Sequence, residues 1–149
     1  MPTARQLLNA LLEATVRAPE ATVQLFVEDG VYEAPYLESL GLPWRYRGRD
    51  EVGRVLAANR ELFPRRVFDD VVIVVETADR VVAEYQFTTR SARTGRMIHQ
   101  LIVGRLESAD GRITLLREAV NLVEVALALY PHGLADYRVP SERDIWQEP

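Results

Sequence analysis

The sequence predicts an α+β fold, a cone-shaped α+β barrel in which a curved antiparallel sheet is closed by three helices of the N-terminal half around an internal pocket. Three observations carry this. Before residue 64 apolar residues recur at helical spacing in three separate stretches; from Arg66 onward the period shortens to that of a strand, four times in succession. The run Val71-Val72-Ile73-Val74-Val75 is apolar on both faces, which predicts cover on both sides of that part of the sheet, by helices on one and by a second subunit on the other. Helices laid on one face of a curved meander leave a space between the two layers.

The elements follow in order. Thr3 is placed to cap a first helix carrying Leu7, Leu8, Leu11, Leu12 and Val16, and Pro19 opens a second helix running through Phe26. After Asp29-Gly30, Val31 to Tyr36 reads as a strand, Gly41-Leu42-Pro43 as a turn and Trp44 to Arg47 as a short extended piece ending at Gly48. A third helix is capped by Asp50 and stopped before Pro64, with Val52, Val55, Leu56, Asn59, Leu62 and Phe63 on one stripe. Four long strands are predicted over Arg66–Thr77, Arg80–Arg90, Arg96–Glu107 and Arg112–Asn121. Ala78-Asp79, Arg93-Thr94-Gly95 and Ala109-Asp110-Gly111 mark the turns between them. A short apolar helix, Leu122 to Tyr130, precedes a polar tail.

Composition fits one globular domain over residues 1–149, with 130–149 as its C-terminal tail. At 149 residues, 48% hydrophobic and 27% charged, the chain is too apolar for a disordered protein and long enough to bury a core. It has no cysteine, which excludes thiolate nucleophiles, disulfides and Cys-ligated zinc. No His/Asp/Glu grouping has metal spacing and no Gly-rich phosphate loop is present, so a cofactor-free and metal-free site is expected. The net charge is -4 and basic residues are interspersed with acidic ones, as where Arg45-Tyr46-Arg47-Gly48-Arg49 meets Asp50-Glu51, which argues against a nucleic-acid partner. The longest apolar stretch is far below the roughly 18 residues of a membrane span and the start lacks a signal-peptide core, so no membrane partner and a cytoplasmic location are expected.

Strand alternation sorts the candidate side chains. In Arg80–Arg90, Tyr85 and Phe87 share the core face with Val81 and Ala83, while Glu84 points away. In Arg112–Asn121, Glu118 and Arg117 fall on opposite faces. His99 and Gln100 are adjacent, each among apolar neighbours, so one faces the pocket, and a bulge would exchange them. For His99 an acid/base role and a buried place at a dimer face stand open together; His132 reads as a loop residue. Tyr32 and Tyr36 share a face of one extended segment, Trp44 and Tyr46 of the next, making an aromatic wall. Tyr46 and Tyr85 add hydroxyls able to donate to a developing oxyanion or an epoxide oxygen. Asn59 is a polar residue on an apolar stripe that also carries Phe63, either a satisfied core amide or a substrate-orienting group.

The ordered motifs Pro43-Trp44-Arg45-Tyr46-Arg47-Gly48-Arg49-Asp50-Glu51-Val52, Leu62-Phe63-Pro64, Asp110-Gly111-Arg112-Ile113 and Arg117-Glu118-Ala119-Val120-Asn121 resemble those of the nuclear-transport-factor-like superfamily, in its SnoaL-like branch of small cyclases, isomerases and hydrolases. Within that branch they are most similar to the phenazine-biosynthesis A/B proteins, over residues from about 20 to 130. The resemblance assigns the pocket side to Glu118, which matches the acidic residue that those proteins and limonene-type epoxide hydrolases place in their active sites. A carboxyl flanked by Leu116 and Val120 is expected to be partly withdrawn from water, which suits it to general acid or base work near neutral pH. The comparison with ketosteroid isomerases favours the Gln100 face for the pocket. Asn59 falls where the phenazine proteins carry a pocket serine, and Val55 where they carry a histidine.

The departures are as informative. The ketosteroid isomerases' general-base aspartate falls at Ala34, their oxyanion tyrosine near Ala10 and their oxyanion aspartate near Ile102. The Arg and Asp of limonene-type epoxide hydrolases fall at Tyr85 and Phe87. The resemblance therefore implies a homodimeric, cofactor-independent acid/base enzyme of secondary metabolism that closes a ring, by aldol-type attack or epoxide opening, on a polyketide-like or prenylated intermediate. Its substrate is expected to be small and apolar or aromatic. Glu118, His99, Tyr85 and Tyr46 are the catalytic candidates, and Tyr32, Tyr36, Trp44, Val55, Asn59, Phe63, Phe87 and Gln100 the substrate-binding ones. Phenazine-type condensation and a non-catalytic small-molecule-binding module are the alternatives.

Overall fold

A computed structural model describes residues 1–137, so the part of the expected tail from residue 138 on lies outside the described residues. Helix α1 (Ala4–Arg17) starts in a reciprocal capping box in which Gln6 N donates to Thr3 Oγ1 at 3.3 Å and Thr3 N to Gln6 Oε1 at 2.9 Å. Its face of Leu7, Leu8, Leu11 and Leu12 is buried in the core. Pro19 opens α2 (Pro19–Thr22), a single turn that tightens into a 3₁₀ turn, Val23–Leu25. The predicted second helix therefore stops short of Phe26, which is fully buried and begins strand β1 (Phe26–Glu33) opposite Ile113. The predicted strand Val31–Tyr36 ends early, because Pro35 opens a 3₁₀ turn over Pro35–Leu40.

Strand β2 (Arg45–Arg47) turns at Gly48, where φ is +84°, into α3 (Arg49–Leu62). Asp50 is in the first turn of α3 rather than its cap, and Glu51 accepts from Arg47 N at 2.9 Å. The four long strands are β3 (Asp69–Glu76), β4 (Arg80–Arg90), β5 (Met97–Ala109) and β6 (Arg112–Ala119). The sheet runs β2-β1-β6-β5-β4-β3, antiparallel except that β1 and β6 are parallel, and it curves without closing. The α+β cone is as predicted, with this one parallel pair and an open seam between β2 and β3. Its core lies between α1, α3 and the concave face, around Leu8, Phe26, Tyr85, Ile98, Leu106 and Ile113.

The cover predicted on both sides of Val71–Val75 is not found among the described residues. β3 is an edge strand with an irregular register between Ile73 and Val75, and Val72, Val74 and Val75 are more than half exposed.

Helix α4 (Leu122–Leu129) packs against β5, lends Val125 and Leu129 to the cavity wall and is pinned at both ends. At its start Asn121 Oδ1 accepts from Val123 N and Glu124 N, and Gln100 grips the Asn121 backbone through its own amide. At its end Ser91 Oγ donates to Ala128 O, Thr94 Oγ1 to Leu127 O, and Arg96 Nη1 to the Leu127 and Tyr130 carbonyls. Among the described residues no helix is long and apolar enough to cross a membrane.

Candidate active site

The concave face and its helices enclose a cavity of about 360 Å³. Its walls are largely apolar: Val55, Leu62 and Phe63 from α3 and its end, Phe87 and Ile102 from the sheet, Val125 and Leu129 from α4. Gln100, Tyr32, Asn59, Arg66 and Glu118 interrupt this surface with polarity, and the last four also bound a small annex of about 30 Å³ behind the main space. An apolar pocket with a few convergent polar groups is the usual form of a small-molecule site.

Glu118 is at the centre of that cluster. Tyr32 Oη donates to Glu118 Oε2 at 2.8 Å and Tyr85 Oη donates to Glu118 Oε1 at 2.5 Å, so each carboxylate oxygen has one hydroxyl donor. Three strands set this up. Tyr32 faces inward from β1, Glu118 from β6 and Tyr85 from β4, two strands away from Glu118 with β5 between. The intervening residue opposite Glu118 is Gly104, where a Cβ would fall on Tyr85 Oη and within 2.8 Å of the ring carbons Cε1 and Cζ. The missing side chain is what lets a tyrosine reach across a neighbouring strand.

Burial, the Glu118 charge and the hydrogen bond to Glu118, in that order, push the Tyr32 and Tyr85 hydroxyls well above the ordinary tyrosine value. Both are donors at any physiological pH. Arg66 opposes part of that rise, and burial lowers its own guanidinium from the usual arginine range while Glu118 and the two tyrosines pull it back up. Arg66 is nine-tenths buried and lies over the faces of Phe68 and Phe87, 5.3 and 5.5 Å from their ring centres.

The expected site residues separate into three groups. Glu118, Tyr32, Tyr46, Val55, Asn59, Phe63, Phe87 and Gln100 line the cavity. Tyr46 stacks on Tyr32 with centroids 6.1 Å apart, and its hydroxyl reaches Pro43 O at 3.3 Å; burial raises it from the ordinary value. The Asn59 amide has no hydrogen-bond partner among the described residues, whereas Gln100 is occupied at the start of α4. Tyr85 is fully buried behind Glu118 and does not line the cavity, so it positions the carboxylate.

His99, Tyr36 and Trp44 are not part of the cavity wall. β5 pairs Phe87 with Gln100 and Thr88 with His99 in unbroken register, so His99 faces outward, where its Nε2 meets Gln86 Oε1 at 2.7 Å. The irregularity in β5 comes only at Glu107–Ser108, past this point. Tyr36 is carried outside by the 3₁₀ turn after Pro35 and is 58% exposed. Trp44 precedes β2 and contributes its backbone carbonyl to Ala34 N at 2.8 Å.

Sequence reasoning missed Arg66. The strand period places it first in a long strand, yet pairing begins at Asp69, and Arg65 with φ +58° turns the chain so that Arg66 points inward. The spacing of Arg66 and Phe68, two residues apart on one side of an extended segment, is the signal that was available. Among the described residues no three His, Asp or Glu side chains converge as metal ligands would.

Residues 4–116 match the family described as SnoaL-like domain. The chain belongs to this family. Its SnoaL-like fold is shared by solved structures of low sequence identity. A phenazine biosynthesis-related protein from Pseudomonas aeruginosa superposes with a TM-score of 0.73 at 20% identity, covering 95% of this chain and 85% of that one. A protein with a ketosteroid isomerase-like fold from Catenulispora acidiphila gives 0.70 at 17%, covering 87% and 98%, and a candidate polyketide cyclase from Xanthomonas campestris gives 0.68 at 23%, covering 82% and 93%. No match was found among curated proteins. Glu118 lies just beyond the segment that carries the SnoaL-like match.

Proposed function

We propose that this SnoaL-like protein is a cofactor-independent acid/base enzyme of secondary metabolism that closes a ring on a small polyketide-like or prenylated substrate. The observation that carries the reading is Glu118, a carboxylate on the wall of an apolar cavity that accepts a tyrosine hydroxyl on each of its oxygens. In an aldol-type closure Glu118 takes a proton from carbon between two carbonyls, and the C–H electron pair becomes the enolate. The enolate carbon adds to a carbonyl carbon of the same molecule, and the resulting alkoxide takes the proton back from the Glu118 carboxylic acid. No atom is gained or lost, so no co-reactant is needed. Tyr46, whose hydroxyl stays protonated and holds only a long bond to Pro43 O, is the donor free to turn to the alkoxide oxygen.

The candidate polyketide cyclase among the structural neighbours supports the same reading. Phenazine-type condensation has less support, since Val55 on the cavity wall supplies no proton where the phenazine proteins have a histidine. The test is a screen of linear polyketone mimics for cyclised product by mass spectrometry, with wild type and Glu118→Gln compared at equal folding. The expected result is a loss of turnover of about 10²-fold or more in the variant. Ligands that bind wild type without any product appearing would make the protein a binding module, and unchanged turnover in the variant would remove Glu118 from the mechanism.

The protein is further proposed to act as a homodimer. Val72, Val75, Leu101 and Val103 face outward from the sheet and are 42 to 58% exposed, an apolar surface that a second copy would cover. Sedimentation at micromolar concentration is expected to give the dimer mass; a monomer would refute it.

A further inference from the structure

Arg66 is a buried cation that no carboxylate among the described residues neutralises by contact. Among the described residues its guanidinium makes no hydrogen bond and no salt bridge, and Nε is fully buried without a partner. The carboxylate nearest to it in the wall, Glu118, is already engaged on both oxygens by Tyr32 and Tyr85. Burying an unpaired charge is expensive, and the two phenyl faces recover only part of that cost. Arg65 holds a left-handed backbone to place the side chain there, a local strain of the kind found where a buried group has a use. Arg66 lines the main cavity, and at the rim of the same cavity stands Arg93, exposed and with no side-chain partner among the described residues. The charged side chains of the wall thus sum to one excess positive charge, Arg66 and Arg93 against Glu118.

We propose that the deep end of the cavity is a receptor for an anionic oxygen, with the Arg66 guanidinium as its partner. The ligand would be a planar aromatic or polyketide-like molecule whose charge is spread over a carboxylate or a 1,3-dicarbonyl enolate. A guanidinium presents parallel N–H donors that match two such oxygens, whereas an ammonium would present a point charge. The body of the ligand lies against Phe63, Phe87 and Val55, and Arg93 draws the anion to the mouth. The inference rests on the reading that this cavity takes a small molecule, and it names the chemical class of that molecule; it does not depend on Glu118 moving a proton.

The experiment is calorimetric binding of 2-naphthoate and of 2-naphthamide, its neutral isostere, to the full chain at neutral pH. Wild type is expected to bind the carboxylate at least about tenfold more tightly than the amide. Arg66→Met, shown by circular dichroism to be folded, is expected to bring the two affinities to within about twofold, and Arg66→Lys to keep only part of the preference. If Arg66→Met does not fold, the Arg66 Nε–H resonance of wild type gives the answer: naphthoate is expected to shift it and naphthamide to leave it in place. Equal affinity for the two probes in wild type, a preference that survives in Arg66→Met, or a resonance that ignores naphthoate would each overturn the proposal and leave Arg66 a structural cation. Because the readout is binding, these results separate from turnover: loss of activity in Glu118→Gln with no anion preference refutes the receptor alone, and the reverse pair refutes the catalysis alone.

Discussion

Two carboxylates sit on adjacent strands of one sheet, and the protein treats them in opposite ways. Glu33, at the end of β1, faces outward with its side chain 7% exposed, and Arg45 Nε and Arg117 Nη1 approach its two oxygens at 3.2 and 3.1 Å. Glu118, next to Arg117 on β6, faces inward and receives two neutral hydroxyls, while the cation in the same wall, Arg66, is held apart from it. Contact with opposite charge fixes Glu33 in place and leaves it little to offer a ligand. Neutral donors occupy the Glu118 oxygens without bringing an opposite charge to them, and the cation in the same wall stays available. The first arrangement ties a strand end to its neighbours; the second keeps a charge pair apart for something that enters between.

The largest effect expected from breaking this contrast is a crossed result. Glu118→Gln should cut ring closure by about 10²-fold or more and change the melting temperature little, because the amide oxygen still accepts from one tyrosine hydroxyl and the other hydroxyl can turn to accept from the amide NH2. Glu33→Gln should leave turnover intact and lower unfolding free energy by about 1–3 kcal/mol in urea titrations, since the half-exposed arginines are rehydrated when their partner loses its charge. Loss of activity in Glu33→Gln at full stability would erase the distinction. Next in size is Gly104→Ala. The added methyl occupies the place of the Tyr85 hydroxyl, so a destabilisation of about 1–3 kcal/mol is expected together with a drop in turnover. Adding Tyr85→Phe to Gly104→Ala should recover part of that stability by removing the clashing oxygen.

Much of this site was legible before the structure and part of it was not, for physical reasons that differ by residue. Strand alternation put Tyr85 and Phe87 inward and Glu118 opposite Arg117, because a two-residue period leaves no freedom once a strand is regular. It could not choose between His99 and Gln100: Met97, Leu101 and Val103 flank one as thoroughly as Ile98 and Ile102 flank the other. The outward row is as apolar as the inward one on this strand, and only the pairing of Gln100 with Phe87 decides. Gly104 carries no side chain for a pattern to count, and its meaning lies in a tyrosine two strands from Glu118. Arg66 escaped because its burial depends on a left-handed turn at Arg65, a residue type that gives no local sign of that conformation.

The hydroxyl pair that holds Glu118 also predicts behaviour at high pH. Tyr32 and Tyr85 ionise less readily in the folded chain than in the unfolded one, whose tyrosines titrate near 10.0. Above that pH the unfolded state loses protons that the folded state retains, so stability should be constant with respect to these groups below about pH 10 and fall as pH rises beyond it. The slope of melting temperature against pH between 9 and 11 should flatten in Tyr32→Phe and in Tyr85→Phe. An unchanged slope in both would mean that neither hydroxyl is shielded as the cluster requires.

The smallest effect is expected at the outer carboxylate's more exposed partner. Arg45 is 56% exposed and sits on the short edge strand β2, whereas Arg117 is on β6 inside the sheet. An ion pair so open to water is worth less than about 1 kcal/mol, and salt screens it. Arg45→Gln should therefore shift stability by only a few tenths of a kcal/mol, and 0.5 M salt should remove the difference. Arg117→Gln should cost more and respond less to salt, because it takes from Glu33 the partner anchored within the sheet. Equal costs for the two would mean that Glu33 is held by its burial rather than by either arginine, and the contrast with Glu118 would then rest on the tyrosines alone.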